Sequence, residues 1–150
     1  MILAPFVLAA TCHYRANGAL PDRRCTPGAL NAVVTQETIH RTICVHGWTA
    51  KIRPPESVTE PEKLASMKRY GVMHPSNFEF DHLISLELGG APNSPRNLWP
   101  EPHHAELNGK DVGSFKKDAV ENRLHAEVCS GKISLAKARA IIRTDWRKAP

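Results

Sequence analysis

Four cysteines restrict this 150-residue chain most, because cross-links among them would tie distant segments together. They are Cys12, Cys25, Cys44 and Cys129, and no two form a C-x-x-C pair, so neither a zinc ribbon nor a thioredoxin-type site is expected. An even number of cysteines in an exported protein favours two disulfides. Three pairings can be drawn, and the sequence does not choose among them. The alternative is four buried thiols in a cytoplasmic protein.

The N-terminal segment 1–11 bears on the compartment. Its sequence, MILAPFVLAAT, is apolar like the hydrophobic region of a secretory signal, but no basic residues precede it. It is either the remnant of such a signal or an N-terminal strand packed on the domain. We therefore expect a secreted or cell-envelope protein, with the cytoplasm as the alternative.

Composition limits the class of protein. Hydrophobic residues make up 41% and charged residues 23%, which is typical of a folded chain, and the length suits one domain over residues 12–150. No apolar run reaches the roughly 18–20 residues that span a bilayer, so stable membrane insertion is not expected. The net charge of +5 is compatible with a nucleic-acid partner but is only a mild bias.

Local signals in the first half predict one clear helix. Residues 12–33 are rich in Gly, Pro, Arg and Asn and predict an irregular arm closed by cysteines. For residues 35–45 the sequence predicts either a short helix or a strand and does not decide between them. A T-x-x-E capping box at residues 59–62 predicts a helix that runs to about Tyr70 and ends at Gly71.

The second half predicts an α+β fold with a small sheet. Residues 78–88 alternate as in a β-strand, and a short helix is expected within 97–109. A helix is expected from Ser114 to Cys129, where apolar residues recur every four positions. Ser134 is expected to cap a last helix that reaches about residue 147. The residues that this helix should bury are Leu135, Ala138, Ile141 or Ile142, and Trp146.

The adjacent residues Asp81 and His82 are the main candidates for a catalytic role. On a strand, such a pair presents a carboxylate and an imidazole near one point. A hard cation such as Mg²⁺ prefers the carboxylate and water, and a neutral histidine can take a proton from a water. This combination suits metal-assisted cleavage of a phosphodiester.

Further motifs follow the Asp-His pair in a fixed order. They are D-H-L-I-S-L-E-L-G-G at residues 81–90, N-L-W-P at 97–100 and N-G-K at 108–110. The set resembles the HNH, or ββα-metal (His-Me finger), endonucleases, and residues 78–125 also resemble actinobacterial secreted proteins of this kind. The resemblance implies a small antiparallel hairpin with a finger over about residues 78–110, flanked by C-terminal helices over about 114–147.

Carried over to this sequence, the resemblance implies a role for each motif residue. His82 would be the general base, and Asn97 would bond across the hairpin loop to hold the strand that bears His82. Asp81 would be a ligand of a divalent metal, Mg²⁺ or Mn²⁺ rather than Zn²⁺. Asn108 would be the third-position ligand. His104 and His103 are the alternatives for that ligand, because the step from Asn97 to Asn108 is about two residues longer than is usual for the motif.

Basic residues beside the motif are candidate contacts to nucleic acid. They are Arg96, Lys110 and Lys117, although a solvated helix face explains the lysines equally well. Trp99 is expected to anchor the core rather than to stack on a base. No sequence-reading module such as a helix-turn-helix is apparent, so low sequence specificity is expected.

The resulting hypothesis is a secreted, metal-dependent endonuclease acting on DNA, or on both DNA and RNA. The alternative is a catalytically inactive, disulfide-braced protein that binds nucleic acid or has a structural role on the same scaffold. The hypothesis leaves open an inhibitor or immunity protein as a further partner. The endonuclease and the inactive alternative are distinguished by whether a complete set of site residues meets around the adjacent Asp81 and His82.

Overall fold

The structure has the predicted α+β fold, with a β-hairpin at the centre of the chain. The computed structural model describes residues 11–150, so the predictions for the N-terminal segment fall outside the described residues except at Thr11. Strand β1 (Phe78–His82) pairs antiparallel with β2 (Leu98–Pro102), and the short strands β3 (Glu106–Leu107) and β4 (Lys110–Asp111) form a second pair. The α-helices are α1 (Trp48–Ile52), α2 (Glu56–Tyr70), α3 (Ser114–Cys129) and α4 (Leu135–Asp145).

Helix α2 begins three residues before the predicted capping box. The hydroxyl of Thr59 donates to the carbonyl of Glu56 at 3.3 Å, so Thr59 lies inside the first turns and does not cap the helix. The C-terminal prediction is confirmed, because α2 ends at Tyr70 and Gly71 adopts the left-handed conformation with φ +67°.

The two C-terminal helices match their predictions. Helix α3 has the predicted bounds. The Ser134 hydroxyl accepts a hydrogen bond from the backbone N–H of Lys137 at 3.1 Å and caps α4. The residues that this helix region buries are Leu135, Ala138, Ile142 and Trp146. Strong local signals, apolar periodicity and a capping serine, determine both helices.

The helix predicted within 97–109 is wrong, because that segment forms β2 and β3. Backbone pairing with β1 decides its conformation, with Asp81 opposite Trp99 and Phe80 opposite Pro100. A two-stranded sheet has only edge strands, and these tolerate Pro100 and Pro102 where a central strand would not. The predicted strand over 78–88 also ends early, at His82. The helix that follows the two hairpins is α3, which begins after the predicted finger boundary at residue 110.

The core lies where the hairpin meets α3, α4 and the N-terminal arm. Trp99 is fully buried, with its ring centroid 5.8 Å from that of Tyr14 and 6.4 Å from that of Tyr70. The indole N–H of Trp146 donates to the carbonyl of Ala19 at 2.9 Å and fastens the arm to the end of α4. As predicted, Trp99 is a core anchor.

Two disulfides brace the fold, as the cysteine count predicts. Cys12 bonds to Cys25 within the irregular arm, and Cys44 bonds to Cys129 at the last residue of α3. Paired cysteines of this kind are typical of an extracellular or otherwise oxidising environment. Among the described residues, none of the helices is both long and apolar enough to cross a membrane.

A candidate active-site cleft beside the hairpin

Asn97 organises the loop between β1 and β2. Its side chain is completely buried, and its Oδ1 accepts a hydrogen bond from the N–H of Ile84 at 2.9 Å. Its Nδ2 donates to the carbonyls of Ile84 and Ala91, both at 3.0 Å. A Cβ on Gly90 would lie 1.8 Å from the Ile84 carbonyl oxygen, so only glycine fits there. Both the second glycine of the motif and Asn97 thus hold the loop that follows His82.

His82 ends β1 with its ring oriented by a backbone carbonyl. Its Nε2 donates to the carbonyl oxygen of Pro92 at 2.9 Å. A carbonyl can only accept, so the proton of the neutral ring lies on Nε2 and Nδ1 is left as a proton acceptor. Burial lowers the pKa of His82, against the opposing effect of Asp81, so the ring is neutral at pH 7. These are the properties of a general base.

A cleft of about 300 Å³ opens beside His82. The end of β1, the turn after it, the end of α1 and one face of α3 form its walls. The ionisable and amide side chains along it are Arg53, Asp81, His82, Glu87, Asp118, Glu121 and Asn122. The cleft therefore combines an imidazole, a guanidinium and several oxygen donors.

Lys117 lies buried beneath this cleft. Its side chain has no exposed area, and its ammonium Nζ donates to Asp81 Oδ2 at 2.7 Å, to Glu121 Oε1 at 2.5 Å and to the His82 carbonyl at 2.9 Å. The buried carboxylate of Glu101 lies 3.7 Å away. This corrects the expectation that Lys117 contacts nucleic acid, because a phosphate cannot reach it.

The buried charges nearly cancel. Burial acts to raise the pKa of Asp81, but the Lys117 ammonium outweighs it and the pKa falls to about 2. Burial raises the pKa of Glu121 to about 8 and that of Glu101 well above its usual range. Lys117 stays protonated among these groups despite its own burial. Lys117 and Asp81 thus form an ion pair at the centre of the cluster, and burial favours the protonated form of both glutamates.

Oxygen donors near Asp81 could hold a metal ion. Carboxylate oxygens of Glu79, Asp81 and Glu101 lie within 4.8 Å of one another. On the cleft side, Asp118 and Asn122 add donors from α3. This oxygen-rich set suits a hard divalent cation.

A second group of metal-ligand residues lies at Cys44, His125 and Cys129. The two sulfurs are joined in a disulfide, so they are not available as thiolate ligands. Among the described residues, the carboxylates around Asp81 are therefore the remaining candidate group for a metal.

The residues predicted for the third ligand lie away from the cleft. Asn108 occupies the turn between β3 and β4, is exposed and has φ +54°. His104 Nδ1 lies 3.2 Å from Asp111 Oδ2, and His103 stacks on Phe115. The structure brings Asp81 and His82 together with α3 instead. The longer spacing to Asn108 reflects this, because residues 106–111 form a separate hairpin.

Sequence reasoning missed Asn122 and Arg53. The signal for Asn122 was present, since polar residues 118, 121 and 122 recur at helical spacing within a predicted helix. Arg53 follows α1 in a proline-rich connector with no local motif, and only the tertiary fold carries it to the cleft. The predicted contacts Arg96 and Lys110 are exposed but do not line the cleft.

Comparisons of the chain with models of protein families, with curated proteins and with solved structures find no match. The cleft itself and the motif resemblance are therefore the features of the chain that bear on its function.

Proposed function

We propose that this chain is a secreted, metal-dependent endonuclease that hydrolyses phosphodiester bonds of DNA, or of both DNA and RNA, with low sequence specificity. The observation that carries the proposal is His82, which is neutral, oriented by the Pro92 carbonyl and adjacent to an ionised Asp81 on the wall of an acidic cleft. A base and an oxygen ligand would thereby act on the same phosphate.

His82 would remove the proton from the attacking water. Its Nε2–H bond to Pro92 fixes the ring, so Nδ1 can accept the proton without a change of tautomer. The Asn97 hydrogen bonds fix the loop that bears Pro92, because they join Asn97 to Ile84 near the start of the loop and to Ala91, the residue before Pro92. Orientation of the base therefore derives from buried, neutral hydrogen bonds.

Asp81, Asp118 and Asn122 are the residues that would hold the divalent metal, Mg²⁺ or Mn²⁺. When bound, the ion stabilises the negative charge that develops on the phosphate and the leaving oxygen. Lys117 keeps Asp81 ionised and fixed in position. Arg53, which also lines the cleft, supplies a guanidinium that can bind a phosphate oxygen.

A plasmid-nicking assay tests this proposal. Purified protein is incubated with supercoiled plasmid in Mg²⁺, Mn²⁺, Zn²⁺ or EDTA, beside His82→Ala and a matched control, His74→Ala, whose histidine is exposed just before β1. We expect cleavage in Mg²⁺ or Mn²⁺, none in EDTA, and a loss of about 10²- to 10⁴-fold for His82→Ala only. Equal rates for His82→Ala and wild type would remove His82 from the base role.

A second candidate is a binding protein that has the finger but does not cleave. The observation in its favour is the Lys117 ammonium, which already neutralises Asp81 from below. On this hypothesis no metal supports nicking, yet the protein retains DNA at low salt. The same assay, combined with retention on immobilised DNA, distinguishes the two functions.

A further inference from the structure

A second concave site, distinct from the acidic cleft, lies at the start of α3. It has a volume of about 530 Å³ and is lined by Ser76, Asn77, His103, His104 and Phe115. None of these residues is acidic, in contrast to the cleft beside His82. The site thus has a different ligand preference from the metal-binding region.

Phe115 is the main apolar surface of this site. It is 59% exposed, whereas the aromatic residues Trp99 and Trp146 are at most 3% exposed. The His103 ring is nearly parallel to the Phe115 ring, at an interplanar angle of 17° with centroids 5.8 Å apart. The His104 ring lies at the same centroid distance, tilted by 51°. Three planar rings therefore form an aromatic surface outside the core, in which Phe115 and His104 are exposed and His103 is half-buried.

Polar groups complete the site. Ser76 and Asn77 are exposed beside the rings and can donate or accept hydrogen bonds. Nδ1 of His103 is buried and has no hydrogen-bond partner among the described residues. A flat ligand with polar edges suits this combination better than an aliphatic chain does.

Helix α3 connects this site to the cleft. Phe115, Asp118 and Asn122 are at positions i, i+3 and i+7 and therefore share one face of the helix. At a rise of 1.5 Å per residue, Phe115 lies about 10 Å along the axis from Asn122. A nucleotide flanking a phosphate in the cleft can cover that distance.

We infer that Phe115, with His103 and His104, is a stacking site for an unpaired nucleobase of the strand whose phosphate enters the cleft. The inference rests on the proposed function, because it takes nucleic acid as the ligand. A base in a duplex has both faces covered by its neighbours, so stacking on Phe115 requires a single strand or an unpaired end. The substrate class is therefore single-stranded or locally unpaired nucleic acid.

Fluorescence anisotropy with a labelled oligothymidine tests the stacking site. Binding is measured in EDTA, where metal-dependent cleavage cannot occur, for wild type, Phe115→Ala, Phe115→Trp and the control Leu64→Ala. Leu64 is 50% exposed on α2 and so matches the loss of exposed apolar area. We expect Phe115→Ala to weaken binding about 5- to 100-fold, Phe115→Trp to retain it and Leu64→Ala to bind as wild type does. A duplex of the same length should bind more weakly than the single strand.

Affinity for Phe115→Ala equal to wild type would overturn the stacking site, as would equal binding of an oligonucleotide whose bases have been removed. The plasmid assay separates this result from the proposed function. Cleavage with an unaffected Phe115→Ala affinity refutes the stacking site alone. Phe115-dependent binding without cleavage supports the stacking site and refutes the nuclease.

Discussion

Asn97 shows how one buried side chain can determine the geometry of a site it does not line. Its amide satisfies three backbone groups of the loop between β1 and β2, and no water competes for them because the side chain has no exposed area. The loop carries the Pro92 carbonyl that orients His82. The orientation of the proposed base therefore depends on an amide that does not touch it.

The substitution Asn97→Asp should separate the contribution of side-chain shape to stability from that of hydrogen bonding. The aspartate has the same size, but an oxygen replaces Nδ2 and faces the carbonyls of Ile84 and Ala91. We expect a loss of about 2–4 kcal/mol in the free energy of unfolding, because two buried acceptors lose their donor. Urea denaturation measures this. The exposed substitution Asn93→Asp is the control, and a change of similar size in both variants would contradict the argument.

At the residue scale, the sequence supports the prediction of the motif residues but not of their partners. Asp81 and His82 are adjacent, and Asn97 follows 15 residues after His82 in the same set of motifs. The buried face of α3 is less predictable, because it includes Lys117 and Glu121 beside Leu124 and Val128. Apolar periodicity finds the last two residues, whereas Lys117 is buried only because carboxylates from β1, β2 and α3 surround it. No local pattern contains that information.

At the element scale, α1 depends on the segments at its ends. It contains no fully buried residue, and although its partly buried Trp48 packs against the core, the segments at its ends also determine its position. Before it, Cys44 is bonded to Cys129, and Nε2 of His125 donates to the Ile43 carbonyl at 2.8 Å. These two links fix the wall that carries Arg53 relative to α3. Because this disulfide joins segments that are distant in the sequence, the pairing could not be predicted from the sequence.

The two disulfides should differ in their contribution to stability. The bridge from Cys44 to Cys129 closes 85 residues of sequence, and that from Cys12 to Cys25 closes 13. By loop-closure entropy, we expect replacement of both cysteines by serine to cost about 4.5 kcal/mol for the longer loop and about 3 kcal/mol for the shorter. Urea denaturation of the two double variants measures the order. The reverse order would show that native packing, rather than loop length, dominates.

Strand β2 shows where local rules fail at this scale. Two prolines in residues 98–102 argue against regular structure, yet the segment pairs with β1 over five residues. Its partner lies about 20 positions earlier in the sequence, beyond the window of any capping or periodicity argument. Helices α3 and α4 carry their signals within themselves, which is why their bounds could be predicted.

At the scale of the whole molecule, the cleft forms only when distant segments meet. Arg53 follows α1, Asp81 and His82 end β1, and Asp118 and Asn122 lie on α3. The chain's positive charge is spread over many exposed residues, but Arg53 is an arginine that lines the cleft together with the acidic residues. Local position suggested Arg96 as the phosphate contact, and the tertiary fold favours Arg53.

Arginine-to-glutamine variants decide between these two assignments. We expect Arg53→Gln to lower kcat/KM for DNA cleavage about 10- to 100-fold, because one charge-assisted hydrogen bond to the phosphate is lost from the cleft. Arg41→Gln, an exposed arginine of the N-terminal half, is the control for the loss of one positive charge. Steady-state cleavage of a labelled substrate at constant ionic strength measures all three variants.

A loss confined to Arg96→Gln would restore the assignment based on sequence and place the scissile phosphate on the far side of the Asn97 loop. Equal small losses in all three would mean that the arginines act only through net charge. A loss confined to Arg53→Gln would show that the phosphate is bound between α1 and α3, where oxygen donors and His82 also meet.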